Sequence, residues 1–262
     1  MKMNKSLIFF SSIAVFLFVG LFALVAQASE MDSRIEASAQ KSYVYKTYLM
    51  NDAITTQSKE GIVTLTGTVA EESHKALAKE TVANLPGVKS VDDQLVVKAE
   101  QPAENSDGWV GMKVKTALLF HSNVNAFKTE VGVKDGVITL KGEALSEAQK
   151  DLAGEYAKDV DGVKSVKNEM TVAKAEENKG LTLSEKIDDA SITAQVKLAL
   201  MYHRSTSALK TSVNTVDGVV TVGGTAKNDA EKALVDKLVK DVKGVTSVVN
   251  NMTIVVADAS KK

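Results

Sequence analysis

The chain contains no cysteine, only two prolines, and one tryptophan among few aromatic residues (5% Phe, Trp and Tyr). Without cysteine, disulfides, thiol chemistry and a lipid anchor on an N-terminal cysteine are excluded. So few aromatic side chains argue against stacking platforms for nucleic-acid bases. The net charge of −1 lacks the basic excess that sequence-independent binding of DNA or RNA requires. We therefore expect no thiol chemistry and no nucleic-acid partner.

The first 28 residues have the pattern of a secretory signal peptide. Lys2 and Lys5 form a positive start, residues 7–25 are almost wholly apolar, and Ala26-Gln27-Ala28 fits the small-x-small cleavage rule. The apolar run is nearly long enough to cross a bilayer, so an uncleaved membrane anchor is the alternative. In either case the rest of the chain is exported. Export without disulfides is typical of a bacterial envelope protein, so the expected location is the periplasm.

One pattern occurs three times: a glycine that opens a strand and, 26 residues later, a glycine that precedes another strand. The pairs are Gly61 and Gly87, Gly136 and Gly162, and Gly218 and Gly244. The second and third copies also align without gaps from Val114 to Val172 at a shift of 82, with 28 of 59 positions identical. A fixed spacing kept through three copies indicates a structural repeat. The expected domains are 32–98, 106–174 and 186–256.

In each copy the apolar periodicity predicts helix, strand, strand, helix, strand. In the second copy, Ser106 or Asp107 can cap the first helix, and Asp135-Gly136 is typical of a tight hairpin turn. Gly67 and its two counterparts are expected to allow close backbone packing or a bulge. In the first copy, a polar run at 55–58 replaces the apolar alternation, so we expect a short or frayed first strand. The predicted fold class is α+β, with three tandem αββαβ domains, each a three-stranded sheet with two helices.

The third copy resembles the BON domain of bacterial proteins. The residues that carry the resemblance are 188–197 at the helix start, Asp217-Gly218-Val219-Val220-Thr221-Val222-x-Gly224, and the tail from Val242 to Thr253. The match covers nearly all of residues 32–256 and is weakest in the first copy. The whole chain is similar to a group of periplasmic, osmotically inducible proteins, which commonly have two such domains. The resemblance implies envelope maintenance under osmotic stress, association with phospholipid or envelope proteins, and no catalysis.

The sequence offers no catalytic, cofactor-binding or metal-binding pattern, so we expect neither an enzyme nor a bound cofactor or metal. Residues 218–224 lack the order of a phosphate-binding loop. His121 and His203 occupy the same repeat position at the end of a first helix, where a histidine is favourable against the negative helix end. Because the two lie in separate domains, we do not expect them to approach each other as a metal pair would.

The candidate contact residues are Trp109, with Lys113 and Lys115 close behind it, and Tyr202 with Arg204. A tryptophan suits the headgroup level of a membrane, and lysines attract anionic lipids. The other interpretation is that Trp109 covers its own core or a contact between domains. The sequence favours association with membrane phospholipid or envelope components. The alternative is a periplasmic holdase-type chaperone for unfolded exported proteins, which needs exposed apolar surface or free sheet edges.

Overall fold

The computed structural model describes residues 30–98, 103, 105–122, 124, 129–172, 187–206 and 211–254. The predicted signal peptide, 1–28, lies outside these residues, and so do most of the two linkers between domains. Within the described ranges, every helix is too short or too polar to cross a bilayer.

Each domain has the predicted order of helices and strands. Domain 1 contains α1 (30–41), α2 (Tyr43–Thr47), β1 (Ala53–Lys59), β2 (Ile62–Val69), α3 (Glu72–Ala83) and β3 (Ser90–Val97). Domain 2 contains α4 (Asp107–Phe120), β4 (Thr129–Lys134), β5 (Val137–Ala144), α5 (Glu147–Lys158), β6 (Ser165–Asn168) and β7 (Thr171–Val172). Domain 3 contains α6 (Asp189–Tyr202), β8 (Thr211–Val216), β9 (Val219–Ala226), α7 (Asp229–Lys240), β10 (Ser247–Asn250) and β11 (Thr253–Ile254). The mixed α+β class is confirmed.

In every sheet the second strand is central. It pairs antiparallel with the first strand across a short turn, and parallel with the last strand, which a helix connects to it. In domains 2 and 3 the last strand is broken into two short pieces. Apolar side chains of the central strand alternate between buried and partly exposed, because one face of each sheet packs against helices and the other faces solvent.

The hairpin turns are two residues long, and both residues of each turn have positive φ, between 51° and 80°. This is the geometry that Asp-Gly favours. An aspartate from the domain's first helix accepts hydrogen bonds from both turn amides, at 2.7–2.9 Å. The turns are Glu60-Gly61, Asp135-Gly136 and Asp217-Gly218, and the aspartates are Asp32, Asp107 and Asp189. The first helix of each domain is thereby fastened to its hairpin.

The predicted frayed strand in domain 1 is wrong. β1 spans seven residues, one more than β4 or β8. Ile54 packs against the core, and the two polar side chains that follow it on the inward face are bonded: the Ser58 hydroxyl donates to Asp32 Oδ1 at 2.6 Å, and Thr56 lies 3.4 Å from the Tyr45 hydroxyl. The Ser58 hydroxyl and then the Gly61 amide lower the pKa of the Asp32 carboxyl. Hydrogen bonds to the helix therefore replace the apolar contacts that the pattern lacked.

The irregular part of domain 1 is its first helix. Ser42 interrupts it and caps the short α2, with its side chain accepting from the Tyr45 amide. Met50, just beyond α2, is 68% exposed. The chain is already helical at residue 30, so Asp32 lies inside α1 and not at its N-cap. Asp32 instead binds the hairpin turn.

Gly67 confirms the predicted close approach of two backbones. Its φ is +115°, and a Cβ built there would lie 1.9 Å from the Ala53 carbonyl oxygen. Its counterparts Gly142 and Gly224 have φ of +117° and +112°. Only glycine adopts this conformation without strain.

Within the described ranges, the apolar side chains form two cores rather than three. Domain 2 has its own core around Ile138 and Leu140. The cores of domains 1 and 3 are continuous, and Phe120 of domain 2 belongs to that shared core. The three repeats are therefore packed together.

Candidate functional site

The first helices of domains 2 and 3 are buried on nearly every side. Nine of the 14 residues of α4 are buried, and eleven of the 14 of α6. A helix on the surface of a small domain buries one stripe against its own core. The remaining sides of α4 and α6 are covered by neighbouring domains, so the interfaces between domains are where function has to be sought.

All three domains meet at Tyr48 of domain 1. Its ring packs edge-on against Phe120 of domain 2 with centroids 5.7 Å apart, and its hydroxyl lies 3.3 Å from Gln195 Oε1 of domain 3. Domain 1 is also bonded to the start of α6, where the Tyr43 amide donates to Asp188 Oδ2 at 2.7 Å. Burial raises the pKa of the Tyr48 hydroxyl, which therefore stays neutral and keeps its hydrogen bond.

Domains 2 and 3 contact each other through equivalent segments, residues 120–122 and 159–161 against 202–204 and 241–243. We call this contact the 2–3 interface. Four backbone hydrogen bonds cross it: Ser122 N to Asp241 O (2.9 Å), Lys243 N to Phe120 O (3.0 Å), Arg204 N to Asp159 O (3.0 Å) and Asp161 N to Tyr202 O (3.2 Å). Each of the first two bonds has an equivalent among the last two, because residues of domain 2 and domain 3 correspond at a shift of 82. The interface is thus a pseudo-two-fold contact between two copies of one unit.

His121 and His203 lie at the centre of the two halves of this interface. Each ends its helix, and each forms an isolated β-bridge with the other domain, His121 with Val242 and His203 with Val160. The histidines are 4% and 9% exposed. The two histidines belong to separate domains, and the packing of the domains brings both to one interface.

The two rings do not act as cationic helix caps. Burial, then the nearby His203 and Lys243, lower the pKa of His121 to about 4. Burial also lowers the pKa of His203, although Asp159 opposes the shift. Both imidazoles are therefore neutral near pH 7. Among the described residues, no group of three or more histidine and acidic side chains could hold a metal.

A family model described as the BON domain matches residues 31–99, 106–174 and 188–256, more than half of the chain. This chain belongs to the BON-domain family. It is 32% identical over 146 residues to osmotically-inducible protein Y of Escherichia coli (strain K12), covering 56% of this chain and 71% of that protein. It is also 32% identical over 144 residues to an uncharacterized protein in the gshII 5' region of Anaplasma centrale, covering 55% of this chain and 91% of that one.

A solved structure of CdsD, a structural protein of the type III secretion system of Chlamydia trachomatis, shares 17% identity with this chain. The match covers 86% of this chain and 91% of CdsD, with a TM-score of 0.25. So low a score supports no structural comparison.

Three of the five predicted contact residues lie at the interface between BON domains 2 and 3. Tyr202 is 6% exposed and its carbonyl accepts from the Asp161 amide. Lys113 is 9% exposed, and its Nζ lies 3.0 Å from Asp161 Oδ2. Arg204 donates its amide across the interface but keeps an exposed side chain. In this packing Tyr202 is covered by domain 2, whereas Lys113 pairs with Asp161 of its own domain.

Trp109 lies at the first turn of α4, where Ser106 accepts a hydrogen bond from its amide. The indole is half-buried, and the Lys113 Nζ lies 5.9 Å from its ring centroid. Lys115 is exposed, but it follows Trp109 by six residues and so lies about 120° away around the helix. It lines a small cavity of about 130 Å³ between BON domains 1 and 2. Trp109 and Lys115 therefore do not form one patch.

A larger cleft, of about 480 Å³, lies between BON domains 1 and 3. Its floor is apolar and includes Met201 and Val213. The Lys197 Nζ at its rim lies 2.8 Å from Glu80 Oε2. The volume is within the range of small-molecule sites. Lysines and carboxylates alternate around the rim, however, so the cleft has no charge preference of its own.

The residues that sequence reasoning missed are those of the interfaces: Tyr48, Phe120, Tyr156, Gln195 and Asp241. One signal could have found them. α4 and α6 are apolar on most sides in the sequence, and a helix of that kind is buried against more than one partner.

Proposed function

We propose that this BON-domain protein is an osmotic-stress-related protein of the bacterial envelope that acts by binding, and that its second domain contacts membrane phospholipid at Trp109. The similarity to osmotically-inducible protein Y supports the stress-related role and a periplasmic location. The match of three BON domains supports a protein built for contact rather than catalysis.

The membrane contact is proposed from one observation. The only tryptophan of the chain is half-buried at the N-terminal end of α4, with a lysine ammonium above its ring. An indole ring that is partly exposed and close to a cation suits the boundary between headgroups and acyl chains. Trp109 lies in the first turn of α4, which Ser106 caps and Asp107 fastens to the hairpin, so binding does not require a flexible segment to become ordered.

Flotation of the mature protein with neutral and with anionic vesicles, at low and moderate salt, tests the proposal. We expect co-flotation with anionic vesicles, a blue shift of Trp109 fluorescence, and weaker binding as salt screens the charges. Trp109→Ala should reduce the bound fraction several-fold. No binding to either vesicle at low salt would contradict direct lipid association.

A second candidate function, a holdase for unfolded polypeptides, is favoured by the outer sheet face of BON domain 3. At six outward positions domain 2 carries charges and domain 3 carries none. The domain 2 residues are Glu130, Lys134, Lys141, Glu143, Lys167 and Glu169, and the domain 3 residues are Ser212, Val216, Gly223, Thr225, Val249 and Asn251. Val216 and Val249 are 59% and 43% exposed. An uncharged face with exposed valines tolerates contact with apolar segments.

Two variants separate the candidates. Val249→Lys places on domain 3 the charge that Lys167 supplies at the equivalent position of domain 2. If the face holds unfolded polypeptides, Val249→Lys should abolish suppression of the aggregation of a denatured model protein and leave flotation unchanged. Trp109→Ala should have the opposite pattern. An unchanged suppression of aggregation in Val249→Lys would exclude the holdase role for this face.

A further inference from the structure

We propose that the 2–3 interface is an acid-sensitive joint: when His121 and His203 take up protons, domain 2 separates from domain 3 while each domain stays folded. The proposal concerns the arrangement of the domains and does not depend on the proposed membrane contact.

His203 is held in its neutral form by a specific hydrogen bond. Its Nδ1 accepts from the Ser205 amide at 3.1 Å, which requires that this nitrogen carry no proton. Its Nε2 is buried and has no hydrogen-bond partner among the described residues. The nearest carboxylate oxygen, Asp159 Oδ2, is 3.8 Å away, too far for a direct hydrogen bond. Protonating Nδ1 would break its hydrogen bond and leave a largely buried cation.

His121 is held in a different way. Its ring stacks flat on Tyr156, with centroids 3.5 Å apart and planes 2° from parallel. The Tyr156 hydroxyl donates to Asp241 Oδ2 of domain 3 at 2.9 Å, so the stack is tied to the opposite domain. The His121 Nδ1 is buried, with no hydrogen-bond partner in the described part of the chain. A proton added there would be an unpaired charge inside the interface.

The charged groups that face the two rings largely oppose protonation. Lys243 faces His121, and its Nζ donates to the Leu119 carbonyl at 3.1 Å. Arg204 opposes a charge on His203, whereas Asp159 favours one. The remaining carboxylates are engaged: Asp241 accepts from Tyr156, and Asp161 is paired with Lys113. A charge on His203 also disfavours a proton on His121.

The direction of the pH effect follows from these shifts. The pKa of His121 falls from 6.5 to about 4 in the closed interface, so the open form binds more protons between those two values. The closed form is therefore fully favoured above pH 6.5 and is weakened as the pH falls toward 4. From pH 7.5 to pH 5, His121 alone raises the opening equilibrium about 30-fold. His203 acts in the same direction because its pKa is also lowered.

Domain 2 is the unit that separates. Domains 1 and 3 share one continuous core, and the Lys197–Glu80 ion pair and the bond from the Tyr43 amide to Asp188 also join them. Domain 2 keeps a complete core of its own. Opening of the interface therefore costs the cross-interface hydrogen bonds, the insertion of Phe120 and the packing of α4 against α6, but it breaks no sheet.

Hydrogen exchange on the full chain tests the proposal, because four amides are bonded across the interface: Ser122, Asp161, Arg204 and Lys243. Their protection, corrected for the intrinsic effect of pH on exchange, should fall at least about 30-fold between pH 7.5 and pH 5. Amides inside the sheets, such as those of Ile138 and Val222, should keep their protection. His121→Gln should reduce the pH dependence. The matched control His74→Gln, which changes the histidine of domain 1, should preserve it.

Two results would overturn the proposal. One is protection at the four amides that changes less than threefold over this pH range after correction. The other is an equal loss of protection inside the sheets, since acid would then unfold domains rather than open a joint. His121→Gln could loosen the interface even at pH 7.5. The ratio of protection at pH 7.5 to protection at pH 5 still tests the proposal in that case, because titration of the imidazole is what makes this ratio large.

Discussion

Phe120 should couple the unfolding of domain 2 to that of domains 1 and 3. It is fully buried, it belongs to the core that domains 1 and 3 share, and its ring packs edge-on against Tyr48. Truncation of a buried phenylalanine to alanine costs about 3–5 kcal/mol. Because this side chain lies between domains, the stabilisation free energy lost in Phe120→Ala weakens the coupling between domain 2 and domains 1 and 3. Phe120→Leu keeps most of the apolar volume and should cost only about 1 kcal/mol.

Urea denaturation followed by two signals measures this effect. Trp109 fluorescence reports domain 2 alone, since the chain has no other tryptophan, whereas far-UV circular dichroism reports all three domains. In the native chain and in Phe120→Leu the two transitions should coincide. In Phe120→Ala the fluorescence transition should move to lower urea and separate from the other. A cost below about 1 kcal/mol, or two transitions that still coincide at an unchanged midpoint, would refute the assignment of Phe120 to a coupling core.

Two further variants test individual features of the domains. Gly67→Ala should lower the unfolding free energy by at least about 2 kcal/mol, because its Cβ would collide with the Ala53 carbonyl at a φ of +115°. Gly132→Ala is the matched control, since the nearest atom to its Cβ is 3.8 Å away, and an equal loss of melting temperature in both would contradict the explanation. Asp189→Ala should cost about 2 kcal/mol by removing the acceptor for the Asp217 and Gly218 amides. A denaturation midpoint unchanged from the native chain would show that the turn is stable without it.

The sequence was sufficient for the features that depend on short stretches of chain. Asp135-Gly136 predicts a tight turn because few residue pairs accept two positive φ angles, and both residues have positive φ in the structure. The strand over 53–59 was misjudged because the prediction used the residues of this short stretch alone. Its inward positions, Thr56 and Ser58, are satisfied by Tyr45 and Asp32 from the preceding helix, and apolar periodicity does not detect such bonds.

The candidate site was predicted less well, because it depends on how the domains pack. Trp109 and Lys113 do lie together, as helical spacing indicates. Nothing in their neighbourhood in the sequence shows that Lys113 would pair with Asp161, or that Tyr202 would be covered by another domain. The sequence does show that the two histidines occupy the same position of the repeat. Only the packing of domains shows that equivalent positions also meet.

The pseudo-two-fold contact between domains 2 and 3 has the form of a homodimer whose two subunits are joined in one chain. In a true homodimer every substitution enters both subunits at once, so a change that suits one side has to suit the other. Once the two are joined, each can vary alone. His121 stacks on Tyr156, whereas the position equivalent to Tyr156 in domain 3 is Leu238. The same freedom allows one sheet to keep its surface charges while the other loses all six, so a contact that began as symmetric can carry two different tasks.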